Sequence, residues 1–466
     1  MTEQSMSWEH LATAALASGE EFFGHGDHAS AAAAYSAALE ALDDAARAAY
    51  APLAAQLFSR RGHARFIRRE LPAAAADYRQ AIACDPALAE AYAYHGLISY
   101  QTGRAIEAVA DFSAAIALYS RETSPPALLA ETLFNRGNAQ YQRRDYLAAE
   151  SDYSAALALD PQLADALIYR GVARFQRGDY PGAADDYTEA LAFPALAPAQ
   201  RAAIGYNQGM LLRQQGNLPG AIAAYDAALA IQPNDADCLM NRGNARAERG
   251  DLAGALADYT AALRLNPWIE DGFNIRGMAR MEAGAPEDAL ADFDRAIGQA
   301  PQALHLHFNR ACARLQCGDF AGAIADFSAE LERRAPGLKG RAETRERRAE
   351  IYNNRGLAFH YSGDLDAAIE DYTRALQQLR LCGGADAFGE RLASTLLNRG
   401  AALHERARSQ LVPAATDLQA AANDLAQAIE LSGDPALVHA ARQQLADVQG
   451  GVLISALSAQ GLGVRG

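Results

Sequence analysis

Four side chains in this sequence could in principle hold a metal: His305, His307, Cys312 and Cys317. Zinc asks for four such donors converging tetrahedrally. Spaced by two, five and five residues on one helix, they would spread around its surface, so packing and surface roles are expected and no metal site. Two glycine runs imitate nucleotide loops. GLGVRG at 461–466 fits GxGxxG but follows no strand and opens no helix, and GHGDHA at 24–29 reads as a turn between helices. There is no P-loop, HExxH, GxSxG or paired CxxC. No catalytic residue, cofactor or metal is expected, and the chain is read as not an enzyme.

A further set of charged residues recurs. Arginine and aspartate stand sixteen residues apart in Arg61/Asp77, Arg136/Asp152, Arg170/Asp186, Arg242/Asp258, Arg276/Asp292, Arg310/Asp326 and Arg355/Asp371, and again in Arg399/Asp424 once an insertion is allowed for. Ser18/Ala34 and Gln208/Ala224 lack both charges, and His95 stands with Asp111. The two charges come and go together. That predicts an ion pair inside each unit of sequence, in preference to a row of arginines binding an anion.

The units are defined by the small residue that follows each arginine: Gly19, Gly62, Gly96, Gly137, Gly171, Gly209, Gly243, Gly277, Ala311, Gly356 and Gly400. The intervals are 43, 34, 41, 34, 38, 34, 34, 34, 45 and 44 residues, so 34 recurs five times and nothing is shorter. Thirty-four is the length of a helix–turn–helix repeat. Other landmarks keep step: after Gly243 come Gly250, Ala255, Tyr259, Ala262 and Pro267. Half of the residues are hydrophobic, many of them alanine, and no run alternates as a strand would, so the chain is expected to be all-α.

In these landmarks the sequence resembles the tetratricopeptide-repeat family, with eleven copies beginning near Ala12, Ala55, Ala89, Ala130, Ala164, Ala202, Ala236, Glu270, Leu304, Ala349 and Ala393. The resemblance implies a right-handed superhelical α-solenoid of about eleven helix–turn–helix units. The expected divisions are a lead-in at 1–11, repeats 1–3 at 12–129, repeats 4–9 at 130–337, and repeats 10–11 with insertions at 338–435. A capping helix is expected at 436–449 and a flexible tail at 450–466. Within a unit, Gly250 should end helix A in the left-handed conformation, Asp251 should cap helix B, and Gly243 should stay small where A and B cross. The longest departures from the period contain 43–54, 120–129, 193–201, 335–348, 381–392 and 411–420. The most basic of them, KGRAETRERR at 339–348, is read as a solvated helix.

The resemblance also implies a concave groove lined by A helices and holding a peptide or helix of a partner. Carried over by repeat position, it implies groove residues Tyr206, Met210, Met240, Asn244, Asn274, Met278, Met281, Phe308 and Cys312, with acidic companions Asp237, Asp271, Glu248 and Glu282. Methionines adapt to varied apolar surfaces, and asparagines can hold a peptide backbone. Acidic side chains favour a basic or amphipathic partner. The lysine/arginine/asparagine clamp that some family members close on a C-terminal carboxylate is not expected. Asn138 and Asn244 match one of its positions, but its basic companions are missing, and Lys339 is the only lysine.

The formal net charge of -15 disfavours nucleic acid and anionic membranes. Five scattered cysteines suggest free thiols, and the N-terminal stretch lacks the basic start of a signal peptide, so a cytoplasmic location is expected. The expected function is a non-enzymatic protein-interaction scaffold. The alternative is a regulatory or substrate-presenting subunit of a separately encoded enzyme. Self-association is left open.

Overall fold

The structure is a computed structural model that describes residues 8–41, 49–120, 125–194, 196–333, 342–383, 385–409 and 414–459. The lead-in at 1–7, part of each of several long intervals, Lys339 and the end of the tail at 460–466 lie outside the described residues, as does GLGVRG. The chain forms two compact units, Met1–Pro233 and Asn234–Gly466.

The first unit contains α1 (Trp8–Gly24), α2 (His28–Glu40), α3 (Ala51–Ile67), α4 (Leu71–Cys84), α5 (Ala89–Gln101), α6 (Ala105–Tyr119), α7 (Pro126–Gln142), α8 (Tyr146–Leu159), α9 (Ala164–Gln176), α10 (Tyr180–Leu191), α11 (Pro198–Gln214) and α12 (Leu218–Ile231). The second contains α13 (Ala236–Glu248), α14 (Leu252–Leu265), α15 (Gly272–Glu282), α16 (Pro286–Gln299), α17 (Leu304–Gln316), α18 (Phe320–Arg333), α19 (Ala342–Ser362), α20 (Leu365–Cys382), α21 (Ala385–Ser409), α22 (Ala415–Leu431) and α23 (Pro435–Ala459). Odd-numbered helices up to α21 are helices A, and the even-numbered helix after each is its helix B. Consecutive helices pack as antiparallel hairpins, six in the first unit and five in the second. Among the described residues all regular structure is helical.

Each hairpin follows from local chemistry. Gly250 takes φ +87°, where a side chain would be strained, and turns the chain out of α13. Asp251 then caps α14 by accepting a hydrogen bond from the Gly254 N–H at 3.0 Å. The same cap recurs at Asp27, Asp145, Asp179, Asn217, Asp319 and Asp364. Leaving helix B, Asp85, Asp160 and Asn266 each accept from a backbone N–H two residues on, which shapes the turn into the next repeat.

The core is a column of small and large residues meeting where A crosses B. Ala31, Ala74, Ala108, Ala149, Ala183, Ala221, Ala255, Ala289, Ala323 and Ala368 hold one repeat position and are all fully buried. The aromatic four residues on packs against the marker glycine. A Cβ on Gly243 would stand 2.5 Å from the Tyr259 ring, so no larger residue fits without moving the tyrosine. The last hairpin keeps this scheme despite its insertion, for Leu425 fills the aromatic's place opposite Gly400 and Asp424 meets Arg399. Helix α23 packs on α22 and runs on through Ala459.

Candidate interaction surface

The arginine–aspartate pairs are architecture. All eight form within their own repeat: Arg170 Nη2 donates to Asp186 at 2.6 Å, and Arg242 Nη2 to Asp258 at 2.6 Å. His95 Nδ1 lies 2.8 Å from Asp111 in the one repeat that uses histidine. In several repeats a second arginine, one turn further along helix A, reaches the same carboxylate. These are Arg65, Arg174, Arg246, Arg280 and Arg314.

One contact has a sequence signal that the arginine–aspartate spacing alone does not reveal. The remaining guanidinium nitrogen reaches back to helix B of the preceding repeat. It donates to Ser36 from Arg61, Ser113 from Arg136, Thr260 from Arg276, Asp294 from Arg310, Ser328 from Arg355 and Thr373 from Arg399. Each acceptor stands two residues after the aspartate position of its own repeat. Each of these six arginines therefore ties three helices together. In the second repeat the accepting place is held by Arg79, and the following repeat carries His95 in place of arginine, which avoids setting two guanidinium groups against each other.

The groove candidates divide between the units. Tyr206 and Met210 are half-buried on α11 of the first unit, with the Tyr206 ring 6.1 Å from that of Tyr225. In the second unit, Met240, Asn274 and Phe308 are only 4%, 6% and 6% exposed. They share the fifth position of their repeats, which faces the aromatic of the partner helix B, as Phe308 does Phe327 at 5.5 Å between centroids. Arg347 covers Phe308, its guanidinium carbon 3.6 Å from the ring centroid. Asn244 accepts from the Tyr259 hydroxyl at 2.9 Å, and Asn138 likewise from Tyr153 at 2.8 Å, so each first serves its own hairpin. Asn274 donates to Asp271 and accepts from Asn309 at 2.8 Å. Asp271, at φ +57°, is exposed and lies 3.4 Å from His305 Nε2. Asp237, Glu248 and Glu282 are exposed.

What comes together is a recess of about 540 Å³ across α13, α15 and α17. Met278, Met281, Phe308 and Cys312 line it, with Ile275 and Asn309 between them and Glu282 and Gln316 at the rim. Met278 is 52% exposed. Burial pushes the Cys312 thiol up to about 12, so it presents a neutral, apolar wall. Ile275 and Asn309 were not among the expected groove residues. Both hold the sixth repeat position, and the signal was available in that register. His305 and His307 do not converge with the cysteines: His307 Nδ1 faces Asp326 at 3.9 Å, and among the described residues no cluster of three His, Cys, Asp or Glu could hold a metal. Among them, too, no helix is long and apolar enough to cross a membrane.

Fold and packing thus define a protein built from a run of helical hairpins. Models of the tetratricopeptide repeat match residues 134–200, 206–267, 276–339 and 349–379. The chain belongs to the tetratricopeptide-repeat family, whose arrays are protein-interaction scaffolds. Curated proteins gave no match. Among solved structures it is similar to a tetratricopeptide repeat protein from Parabacteroides merdae, at 19% identity over 61% of this chain and 98% of that one, TM-score 0.40. It is also similar to the C-terminal part of a repeat protein from Cytophaga hutchinsonii, at 18% identity over 53% and 95%, TM-score 0.45. A third is YrrB, described as having an unusual peptide-binding site, at 23% identity over 42% and 95%, TM-score 0.33.

Proposed function

We propose that the chain is a non-catalytic scaffold that receives a peptide or helix of a partner protein in the recess of its second unit. The observation that carries this is the recess itself. Three successive A helices contribute to it, and its apolar wall is left half open at Met278. Met278 and Met281 would mould to an apolar side chain. Gln316 at the rim offers an amide to a partner backbone. Glu282 on the rim, with Asp237 and Asp271 exposed at the starts of their helices, would favour a basic or amphipathic segment. The five cysteines are all free thiols, which fits a reducing compartment such as the cytoplasm.

The test is photo-crosslinking in cells from a benzoylphenylalanine placed at Met278, beside a control placed at Ile106, which is exposed on helix B of another repeat. A recurrent partner captured from position 278 and lost when Glu282→Arg is added on the rim, with helicity unchanged, supports the reading. Capture from position 106 alone counts against it.

A further inference from the structure

The first unit carries a recess of its own, about 600 Å³ in volume, and none of the residues expected to form a groove lines it. It too spans three successive A helices, α3, α5 and α7. Arg60, Tyr94 and Asn135 stand in it at the sixth repeat position, and Glu90 and Glu131 at the second. The two recesses share the sixth repeat position in different repeats, but the rest of their linings and their chemistry differ. The second unit's is lined with methionine. The first unit's has an aromatic floor and charged walls.

The floor is rigid. Tyr94 lies parallel to Tyr78, with centroids 5.6 Å apart and planes 7° off parallel, and it meets His63 edge-on at 4.7 Å. Tyr94 is half-buried and lines the recess. The walls are uncompensated. Among the described residues, half-buried Glu90 and exposed Glu131 make no hydrogen bond or ion pair, and the Asn135 side chain has no hydrogen-bond partner. Asp85 is occupied by its own turn. The one basic group, Arg60, makes a loose surface contact with Glu20 at 3.9 Å. Burial first, and then Glu90 and Glu131, push the Tyr94 phenol up from its ordinary range, so both carboxylates bear on the ring that forms the floor. A half-buried carboxylate with no partner costs solvation and returns nothing until a cation arrives.

We propose that this recess is a docking site for an arginine side chain carried on a segment of a partner protein. The guanidinium lies on the Tyr94 ring with Glu90 and Glu131 as its counter-charges, and the Asn135 amide holds the adjoining backbone. Arginine fits better than lysine because its flat, weakly hydrated head both stacks on an aromatic ring and forks between carboxylate oxygens. The three carboxylates on the lining against one guanidinium favour a cation over an anion. The inference shares with the preceding reading only the premise that the chain binds other proteins, and it stands on a different unit.

The experiment is selection of a displayed library of random short peptides on the full-length chain. It is repeated on the Glu90→Gln/Glu131→Gln variant and on Met278→Glu. Enrichment of peptides with a common arginine, lost on the double glutamine variant and kept on Met278→Glu, is the expected result. For one such peptide, replacing arginine by citrulline, or the protein by the double variant, should weaken binding about tenfold, the size of one partly desolvated ion pair. Enriched peptides without a common arginine overturn the proposal. So do arginine peptides indifferent to the double variant, or no enrichment at all. Peptides lost only on Met278→Glu would speak for the second unit's recess and against this one, so the two readings fail separately.

Discussion

Arg276 grips Asp292 with two parallel hydrogen bonds, Nε to Oδ2 at 2.9 Å and Nη2 to Oδ1 at 2.5 Å, and the two side chains are 10% and 2% exposed. Arg280 adds a third bond to the same carboxylate at 2.7 Å, and Arg276 Nη1 reaches Thr260 at 3.3 Å. Asp292→Ala leaves a buried guanidinium without its counter-charge and should cost about 3–5 kcal/mol. Replacing both partners by apolar residues, Arg276→Met with Asp292→Leu, should recover most of that loss. Because a solenoid opens repeat by repeat, native-state hydrogen exchange in α15 and α16 is the measurement. A single mutant that leaves those amides as protected as in the parent would refute this account of the staple.

Most repeats place glycine in the left-handed turn between A and B, but Arg69 and Arg144 hold that place at φ 63°. An ordinary side chain there is strained by roughly 1–2 kcal/mol. Arg69→Gly and Arg144→Gly should therefore each gain stability, less the entropy that glycine regains on unfolding, for a net rise of some tenths to about 1 kcal/mol. Gly250→Ala should lose stability. The denaturant midpoints of the three variants would show the two signs.

The arginine–aspartate spacing, the marker glycine and the aromatic sixteen residues on were legible in the sequence because each position tolerates few residue types. Gly243 faces Tyr259 across the helix crossing, and only a small residue fits there. The third arm of the staple was less visible because serine, threonine and aspartate all accept the same hydrogen bond, so no single letter repeats. Burial along helix A was hardest. Fifth and ninth repeat positions lie only about 40° apart around a helix, yet Met240 at a fifth position is 4% exposed and Met278 at a ninth is 52% exposed. The difference comes from the aromatic of helix B, against which the fifth position packs. Repeat register alone does not show how far that contact closes the side chain off.

That contrast makes two methionine substitutions diverge. Met278→Arg adds a charge that water can reach, so it should leave helicity and midpoint within about 0.5 kcal/mol of the parent while removing partner binding in the second unit. Met240→Arg forces a charge into a closed core beside Leu239 and Cys238 and should unfold its hairpin, a loss of several kcal/mol. Circular dichroism melts separate the two. Loss of binding in Met240→Arg alone would report misfolding and say nothing about the recess.

His63 makes the first unit sensitive to mild acid. Its ring stands between Phe23 and Tyr94, at 5.3 and 4.7 Å, and its buried Nδ1 has no hydrogen-bond partner. Burial lowers its pKa, with Arg60 and His28 acting in the same direction and Glu90 against them. The unfolded chain therefore takes up the proton first. The contribution to stability is complete above the unfolded value near 6.5 and is lost as the pH falls below it, toward the depressed folded value. Hydrogen exchange in α3 and α5 should show falling protection between about pH 7 and pH 5.5, and His63→Phe should flatten that dependence. His404 on α21 is lowered by burial in the same way, so the second unit should lose protection over the same range even in the His63 variant. A first unit whose acid response is unchanged by His63→Phe would place the titrating group elsewhere.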